Sequence, residues 1–376
     1  MTSISQTIAK LNAMLPGAFQ PLSPANDRLS LLRDFGSNPG DLDARIYIPN
    51  DLPAKAPLIV VLHGCGQDAA GYDHGSGWST LADRHGFVLL YPQQRVTNNP
   101  NRCFNWFQPE DMRRDAGEAL SIRQMIGKVV EDYGIDADRI FITGLSAGGA
   151  MTSVMLATCP EVFAGGAIIA GLPYGSAAGV PEALERMRGQ GIPSATSLGE
   201  LVRRASDHNG PLPTISVWHG TGDMTVTPAN AEAIVTQWRN LHGVLAKTGR
   251  DDSVNGYPHR VWADDSGRDV IEEYSISGMA HGTPVAPGGD DGCGASAPYM
   301  LDVGISSTRH IAAFWGIAPV PELVNHADTK PDLPNPPLTG AEIRARASPP
   351  TSSIAAGSSG ISTVIEQALR SAGLMR

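Results

Sequence analysis

The pentapeptide Gly-Leu-Ser-Ala-Gly at residues 144–148 constrains the fold more than any other feature of the chain. It directly follows Arg139-Ile-Phe-Ile-Thr143, whose β-branched and aromatic residues predict a strand. The segment after it, Gly149 to Ala157, predicts a helix that begins with small residues. G-x-S-x-G between a strand and a helix is typical of a nucleophile elbow, a sharp turn that exposes the serine. We therefore predict that Ser146 attacks an acyl carbon.

The pentapeptide alone is not specific, because the chain contains 42 glycines and such motifs arise by chance. A tight strand-to-helix turn packed for structural reasons is the alternative, but it does not account for a serine at the apex. A serine hydroxyl is a poor nucleophile at neutral pH and needs a general base, which in turn needs an orienting carboxylate. In this class of fold the chain order is serine, acid, histidine.

The acid and the base are each predicted in a loop that follows a strand. The strand Thr214–Trp218 leads into His-Gly-Thr-Gly-Asp223, and the strand Val270–Ile276 leads into Ser-Gly-Met-Ala-His281. Open α/β sheets place functional groups at the carboxyl ends of their strands, which favours Asp223 as acid and His281 as base. Weaker candidates are Asp264 and Asp265, which fit a plain hairpin turn, and His242, His259 and His310.

The oxyanion of the transition state requires two backbone N–H donors. We expect one from Ala147, the residue after the nucleophile, and the other from Cys65 in the glycine-containing loop His63-Gly-Cys-Gly-Gln67. His63 is interpreted as a buried imidazole that holds this loop through hydrogen bonds. Cys65 as the nucleophile is a rival, but it lacks the elbow context.

Strands and helices alternate along the chain, which predicts an α/β fold with a mostly parallel sheet covered on both faces. We predict an N-terminal helix and lead-in at 1–39, a catalytic domain at 40–316 with a lid-like insertion at 172–213, and two C-terminal segments. These are a linker rich in Pro, Ser and Ala at 317–360 and a helix at 361–376.

The net charge of −10 argues against binding of nucleic acid through a basic surface and against binding to an anionic membrane. No run of about 18 apolar residues predicts a membrane span. The N-terminal residues lack the pattern of a secretory signal, so we expect a cytoplasmic location. We predict no metal or other cofactor, and the oligomeric state stays open.

The four cysteines, at 65, 103, 159 and 293, form no C-x-x-C motif, which argues against zinc and thioredoxin chemistry. Cys65 and Cys103 each lie in a loop after a predicted strand and could meet there. A disulfide between them is disfavoured if the compartment is reducing.

With these residues assembled, the chain resembles the PHB depolymerase family of esterases within the α/β-hydrolase superfamily. The similarity covers roughly residues 40–316 and rests on several segments: Leu62–Gln67, Cys103–Phe107, Gly144–Met151, Ala170–Tyr174, Trp218–Asp223 and Gly278–Gly282. The resemblance implies the α/β-hydrolase fold, the triad of Ser146, Asp223 and His281, and an oxyanion hole near Cys65 and Ala147.

We therefore expect a serine ester hydrolase that acts on poly- or oligo(3-hydroxyalkanoate) or on related short-acyl or aryl esters. A substrate pocket of aromatic residues is predicted near the strand ends, formed by Trp78, Phe104, Trp106, Phe107 and Tyr174. Because the family also contains feruloyl and acetylxylan esterases, that substrate class is an alternative. A serine peptidase and a non-catalytic scaffold at polymer granules are two others.

Overall fold

The structure of the protein is a computed structural model that describes residues 27–289 and 291–321. The predicted C-terminal helix at 361–376 lies outside the described residues, as do most of the predicted linker at 317–360 and residues 1–26 of the predicted N-terminal segment.

Ten strands of the described chain form one sheet in the order β1-β2-β4-β3-β5-β6-β7-β10-β9-β8. Their bounds are β1 Ser30–Leu31, β2 Asp43–Tyr47, β3 Leu58–Leu62, β4 Val88–Gln93, β5 Ile140–Leu145, β6 Gly165–Ile169, β7 Thr214–Gly220, β8 Arg250–Val254, β9 Tyr257–Ala263 and β10 Asp269–Ile276. Six central strands are parallel to one another, in the spatial order β4, β3, β5, β6, β7 and β10. The strands outside them pair antiparallel: β1 with β2, β2 with β4, β10 with β9, and β9 with β8. A separate parallel pair is formed by β11 Thr283–Val285 and β12 Met300–Asp302.

Helices cover both faces of this sheet. Their bounds are α1 Ala69–Ser76, α2 Trp78–His85, α3 Gly117–Tyr133, α4 Ala147–Thr158, α5 Val180–Met187, α6 Ala195–Arg203, α7 Ala229–Leu241 and α8 Ser307–Phe314. Alternate residues of β3 enter opposite cores: Val60 packs with residues of α3, α4 and α7, and Val61 packs with residues of α1, α2 and α8. Two covered faces explain why the central strand β3, Leu-Ile-Val-Val-Leu, is a continuous apolar run.

This architecture confirms the predicted α/β fold. The predicted turn at Asp264 is also confirmed, because the Asp264 N–H donates to Arg268 O at 2.9 Å and joins β9 to β10 as a hairpin. Strand β8 was not predicted, because four of its five residues are exposed and polar. Its turn to β9, Asn255-Gly256, is a typical hairpin signal.

The parallel arrangement determines where a site can form. Strands β3, β4, β5, β6, β7 and β10 all end at the same edge of the sheet. Loops beyond this carboxyl edge are the usual location of functional groups in such folds. The loops that carry Cys65, Ser146, Asp223 and His281 all begin there.

The insertion at 172–213 contains α5 and α6. Helix α6 packs along α7, where Arg203 donates to Asn240. The end of α5 contacts the chain that follows Asp223, since the Thr227 N–H donates to Met187 O at 2.8 Å. The insertion therefore supports the chain that follows Asp223 through a backbone hydrogen bond.

Candidate active site

Ser146 occupies the sharp turn that the pentapeptide predicts. Its backbone has φ 57° and ψ −116°, and it directly precedes α4. A Cβ atom at Gly144 would lie 2.4 Å from Gly148 O, and one at Gly148 would lie 2.4 Å from Leu62 O. Both positions therefore require glycine, which is the physical reason for the spacing of the motif.

The same contacts fix the elbow against its neighbouring strands. Gly148 lies directly on the end of β3, within van der Waals reach of Leu62 and His63. On the other side, the Ser146 N–H donates to Ile169 O of β6 at 2.9 Å. The first turn of α4 is thus adjacent to the loop that carries Cys65.

Asp223 and His281 are brought together by the structure. His281 Nδ1 lies 2.7 Å from Asp223 Oδ2, and both side chains are buried. The other carboxylate oxygen, Oδ1, accepts from the backbone N–H groups of Thr225 and Val226 at 2.8 and 2.9 Å. Asp223 is therefore oriented by its own loop and holds the His281 ring through Nδ1–H.

The loops of Asp223 and His281 contact each other through their backbones. The Thr221 and Gly222 N–H groups donate to Ile276 O and Met279 O, each at 3.0 Å. A Cβ atom at Gly220 would lie 2.2 Å from Met279 O. The absence of a side chain at Gly220 therefore lets the two loops approach closely enough for acid and base to meet.

A second histidine contacts the same acid. His219 Nε2 lies 2.7 Å from Val226 O and 3.3 Å from Asp223 Oδ2. Because a carbonyl oxygen can only accept, Nε2 carries the proton and points toward both oxygens. Burial would raise the pKa of Asp223, but hydrogen bonds from His219 and His281 hold this pKa well below its usual value. His219 begins the segment that leads from the predicted strand to Asp223, yet nothing in the sequence indicated that its side chain contacts the acid.

In the described part of the chain, Ser146 Oγ and the His281 ring form no hydrogen bond with each other. Ser146 is partly exposed, at the carboxyl edge of the sheet. In hydrolases this contact often tightens only when substrate is bound, so the geometry is compatible with the predicted role.

The loop after β3 leaves one amide free among its four consecutive N–H groups. The Gly64 N–H donates to Gln67 Oε1, the Gly66 N–H to Asn101 O and the Gln67 N–H to Gly64 O. The Cys65 N–H has no partner among the described residues. The Ala147 N–H, at the first position of α4, likewise lacks an intrahelical acceptor. Both predicted oxyanion donors are therefore available for a ligand.

His63 stabilises this loop as interpreted from the sequence. Its Nδ1 lies 2.8 Å from Gly64 O, and its Nε2 accepts from the Gln94 N–H at 3.1 Å. This pattern fixes the neutral tautomer with the proton on Nδ1. Burial lowers the pKa of His63 to about 4, which keeps the imidazole neutral.

The loops of Cys65 and Cys103 meet, and the two cysteines form a disulfide. The segment around Cys103 is in turn held by the buried carboxylate of Glu118, which accepts from Asn105 N at 2.8 Å, from Asn105 Nδ2 at 2.8 Å and from Gln94 Nε2 at 2.6 Å. Burial, together with nearby Asp111, raises the pKa of Glu118 to about 8, although the hydrogen bonds favour its ionised form. Sequence reasoning missed Glu118, because a charged residue in the first turn of a helix usually faces solvent.

The predicted aromatic pocket needs a correction at Trp78. Its side chain is 1% exposed and packs against Phe87 and, in a stacked arrangement, Trp315. Trp78 therefore belongs to the core beneath α2 and cannot line an open pocket. Phe104 is also fully buried, with its ring 5.0 Å from that of His63.

The other aromatic residues of that prediction lie closer to the surface. Trp106 is 7% exposed and contacts Phe107 edge to face at 5.4 Å. Phe107 and Tyr174 are partly exposed. Their role in substrate binding stays a prediction.

Within residues 27–289 and 291–321, no group of three or more His, Cys, Asp or Glu side chains is arranged to hold a metal ion. No helix in this part of the chain is long and apolar enough to cross a membrane.

Comparison of the sequence with known proteins identifies a matching family. The model of the family described as Esterase PHB depolymerase matches residues 42–256. Poly(3-hydroxyalkanoate) depolymerase C of Paucimonas lemoignei is 47% identical over 291 residues, which cover 77% of this chain and 70% of the relative. Feruloyl esterase B of Talaromyces funiculosus is 32% identical over 270 residues, which cover 68% and 73%.

Solved structures agree on the fold. The acetyl xylan esterase from Aspergillus awamori superposes with a TM-score of 0.66 at 24% identity, and the match covers 77% of this chain and 99% of that one. At this identity the likeness shows the α/β-hydrolase fold alone.

Proposed function

The chain belongs to the PHB depolymerase family of esterases and is a carboxylic ester hydrolase, and we propose that it acts through a triad of Ser146, His281 and Asp223. The observation that carries this proposal is the 2.7 Å contact between His281 Nδ1 and Asp223 Oδ2, at the sheet edge where Ser146 forms the elbow. This pairing fixes the tautomer of His281 that leaves Nε2 free to accept a proton.

In the proposed reaction, Ser146 Oγ attacks the carbonyl carbon of the ester and passes its proton to His281 Nε2. The Cys65 and Ala147 N–H groups stabilise the oxyanion. The C–O bond then breaks, and His281 returns the proton to the leaving alcohol. Water, deprotonated by the same histidine, hydrolyses the acyl-enzyme and frees Ser146.

For the substrate we propose esters of 3-hydroxyalkanoic acids, as oligomers or as polymer. This proposal is supported by the relative from Paucimonas lemoignei, whose name states that substrate class. Feruloyl or acetylated xylan esters are the second candidate, supported by the weaker similarity to enzymes named for those activities.

Turnover of p-nitrophenyl acetate, butyrate and octanoate by the wild type and by Ser146→Ala tests the reaction. We expect turnover that falls by a factor of about 10⁴ or more in the variant, as for other enzymes that lose the nucleophile. Unchanged turnover in Ser146→Ala would contradict the site, and no ester turnover by the wild type would contradict the reaction.

The substrate class is tested by comparing kcat/KM for a 3-hydroxybutyrate trimer, methyl ferulate and an acetylated xylo-oligosaccharide. We expect the trimer to be preferred. A preference for methyl ferulate or for the acetylated sugar would assign the chain to the second candidate without affecting the triad.

We also propose that the protein works in an oxidising compartment, contrary to the cytoplasmic location expected from its N-terminal residues. The disulfide between Cys65 and Cys103 supports this, because such bonds persist outside the reducing cytosol. Alkylation of the protein in its native host, followed by mass spectrometry, should find these two cysteines protected. If both are alkylated without prior reduction, the proposal fails.

A further inference from the structure

Tyr299 lies beside the predicted base, on a segment to which no role has been assigned. It directly precedes β12, and β12 pairs with β11, which begins two residues after His281. The Thr283 N–H donates to Tyr299 O at 2.8 Å, and a Cβ atom at Gly282 would lie 2.8 Å from the same oxygen. The backbone of Tyr299 is therefore fixed against the loop of His281.

The backbone conformation of Tyr299 is unfavourable for a residue with a side chain. Its φ is +65°, in the left-handed region that favours glycine. Bulky residues persist there only where the surroundings over-determine the conformation, and such positions cluster at functional sites. The tyrosine side chain must therefore make a contribution that outweighs the backbone strain, which a glycine would relieve.

The side chain provides two features that a glycine lacks. Its ring contacts the His281 ring edge to face, with centroids 6.2 Å apart and an interplanar angle of 78°. Its hydroxyl forms no hydrogen bond with another described residue, as is also true of Tyr133, Tyr174 and Tyr274. Tyr299 is partly exposed, and its side chain is therefore not confined to the core.

The neighbouring residue connects Tyr299 to the oxyanion loop. Pro298 O lies 3.4 Å from Gln67 Nε2, and Gln67 Oε1 accepts from the Gly64 N–H at 2.9 Å. The segment 298–299 thus contacts both the loop that carries Cys65 and the ring of His281. We therefore expect a substrate bound between this loop and His281 to lie near this segment.

We propose that Tyr299 is a specificity-determining residue whose hydroxyl donates to an oxygen of the ester unit next to the scissile one, while its ring supports His281. The proposal rests on the proposed function. An oligoester of a hydroxy acid carries a carbonyl in every unit, so a second acceptor accompanies each scissile bond. A simple monoester such as p-nitrophenyl butyrate has no such acceptor.

The two roles of Tyr299 are separated by two variants and two substrates. Tyr299→Phe removes only the hydroxyl, so we expect kcat/KM for the 3-hydroxybutyrate trimer to fall about tenfold, the loss of one hydrogen bond. The same variant should hydrolyse p-nitrophenyl butyrate within about twofold of the wild type, since this substrate has no second ester carbonyl for the hydroxyl to bind.

Tyr299→Gly removes the ring and relieves the backbone. We expect kcat to fall about tenfold on both substrates while KM for p-nitrophenyl butyrate stays within about twofold, because the ring orients His281 and does not bind this substrate. The matched control is Tyr257→Phe, which removes a 2.7 Å bond to Val303 O just beyond β12. It should lower the melting temperature and leave the ratio of the two kcat/KM values unchanged.

The outcomes distinguish this proposal from the proposed function. Equal losses on both substrates in Tyr299→Phe, or no loss on the trimer, would overturn the role of the hydroxyl. Wild-type kcat in Tyr299→Gly, or a rise in KM in place of a fall in kcat, would overturn the role of the ring. If the wild type hydrolyses p-nitrophenyl butyrate but not the trimer, the substrate class fails and the proposal fails with it; if it hydrolyses neither, the proposed function fails as a whole.

Discussion

The two halves of the candidate site are held in place by different means. In the oxyanion half, the loop of Cys65 is joined by a disulfide to Cys103, and the segment of Cys103 is anchored on the buried carboxylate of Glu118. In the acid–base half, the loops of Asp223 and His281 are held by backbone hydrogen bonds and by close contact at Gly220. The described cysteines form no covalent link there.

The geometry of the oxyanion half therefore depends on the redox state of a disulfide and the protonation state of a carboxyl group. The geometry of the acid–base half depends on how closely two loops pack. A disulfide responds to reducing conditions, and a carboxyl group with a raised pKa responds to pH. Contacts between backbones respond to neither, but they cannot tolerate added volume. Perturbations of the two halves should therefore differ in kind as well as in size.

The largest effect is expected for Gly220→Ala in the acid–base half. The added Cβ would lie 2.2 Å from Met279 O and would push the loop of His281 away from Asp223. We expect kcat/KM for p-nitrophenyl butyrate to fall about 10³-fold, because a displacement of about 1 Å can reduce rates a hundredfold and a bond to the acid is lost as well. Gly278→Asn in the same loop is the control. It has open space around it and a φ of +71°, which asparagine tolerates, so it should stay within about threefold.

In the oxyanion half, the double variant Cys65→Ala, Cys103→Ala should act on stability. Opening a cross-link between residues 38 positions apart should reduce the free energy of unfolding by about 3 kcal/mol in urea denaturation. Activity of the folded variant should change less, because the substitution at position 65 leaves the backbone N–H of that residue in place. A loss of activity comparable to that of Gly220→Ala, with unchanged stability, would contradict the distinction between the halves. Cys159→Ala removes a buried free thiol and no cross-link, so it controls for packing.

His219 tests whether hydrogen bonding adds to shape in the acid–base half. His219→Phe keeps a ring but removes the donor shared by Val226 O and Asp223 Oδ2. We expect kcat/KM to fall about thirtyfold, the effect of one hydrogen bond to a charged group. His219→Gln places a donor near the position of Nε2 and should recover most of the activity. If the two variants are equally impaired, volume rather than the hydrogen bond determines the effect.

The smallest effect, taken over a single pH unit, is a gradual change of the free energy of unfolding with pH in the oxyanion half. Between the ordinary carboxyl value of 4.5 and about 8, the folded protein retains a proton on Glu118 that the unfolded chain has lost. The free energy of unfolding should therefore fall as pH rises through this window, by up to about 1.4 kcal/mol for each pH unit. Glu118→Gln should lose this slope, because its amide does not titrate. Equal slopes for wild type and variant in urea denaturation at pH 5.5, 6.5 and 7.5 would contradict this account.

The sequence predicted those parts of the site that follow from local order. Ser146, Asp223 and His281 each follow a strand, and a parallel sheet brings the ends of its strands to one edge. The elbow could be predicted in detail, because Gly144 and Gly148 contact residues that are near in sequence or directly next to them in the sheet. The hydrogen bond between Asp223 and His281 joins residues 58 positions apart, yet chain order and the placement of both residues after strands predicted the pair.

The parts that could not be predicted depend on contacts between distant segments. The burial of Trp78 is set by Trp315 of the C-terminal region, and no local pattern distinguishes a core tryptophan from a pocket tryptophan. Glu118 is buried because Asn105 and Gln94 supply its hydrogen bonds. The position of Tyr299 depends on the pairing of β11 with β12, two strands of three residues each that are too short for a periodic signal.

Strand β8, at the outer edge of the ten-stranded sheet, determines how far that sheet can extend. An open edge offers unpaired N–H and C=O groups to the strands of other molecules and so invites aggregation. Here an approaching strand would have to lie beside Asp251 and Asp252, both exposed and both at the edge. Placing two carboxylates against a new neighbour is unfavourable, so the rim of the sheet resists intermolecular pairing. We therefore expect concentrated protein not to associate strand by strand through the β8 edge.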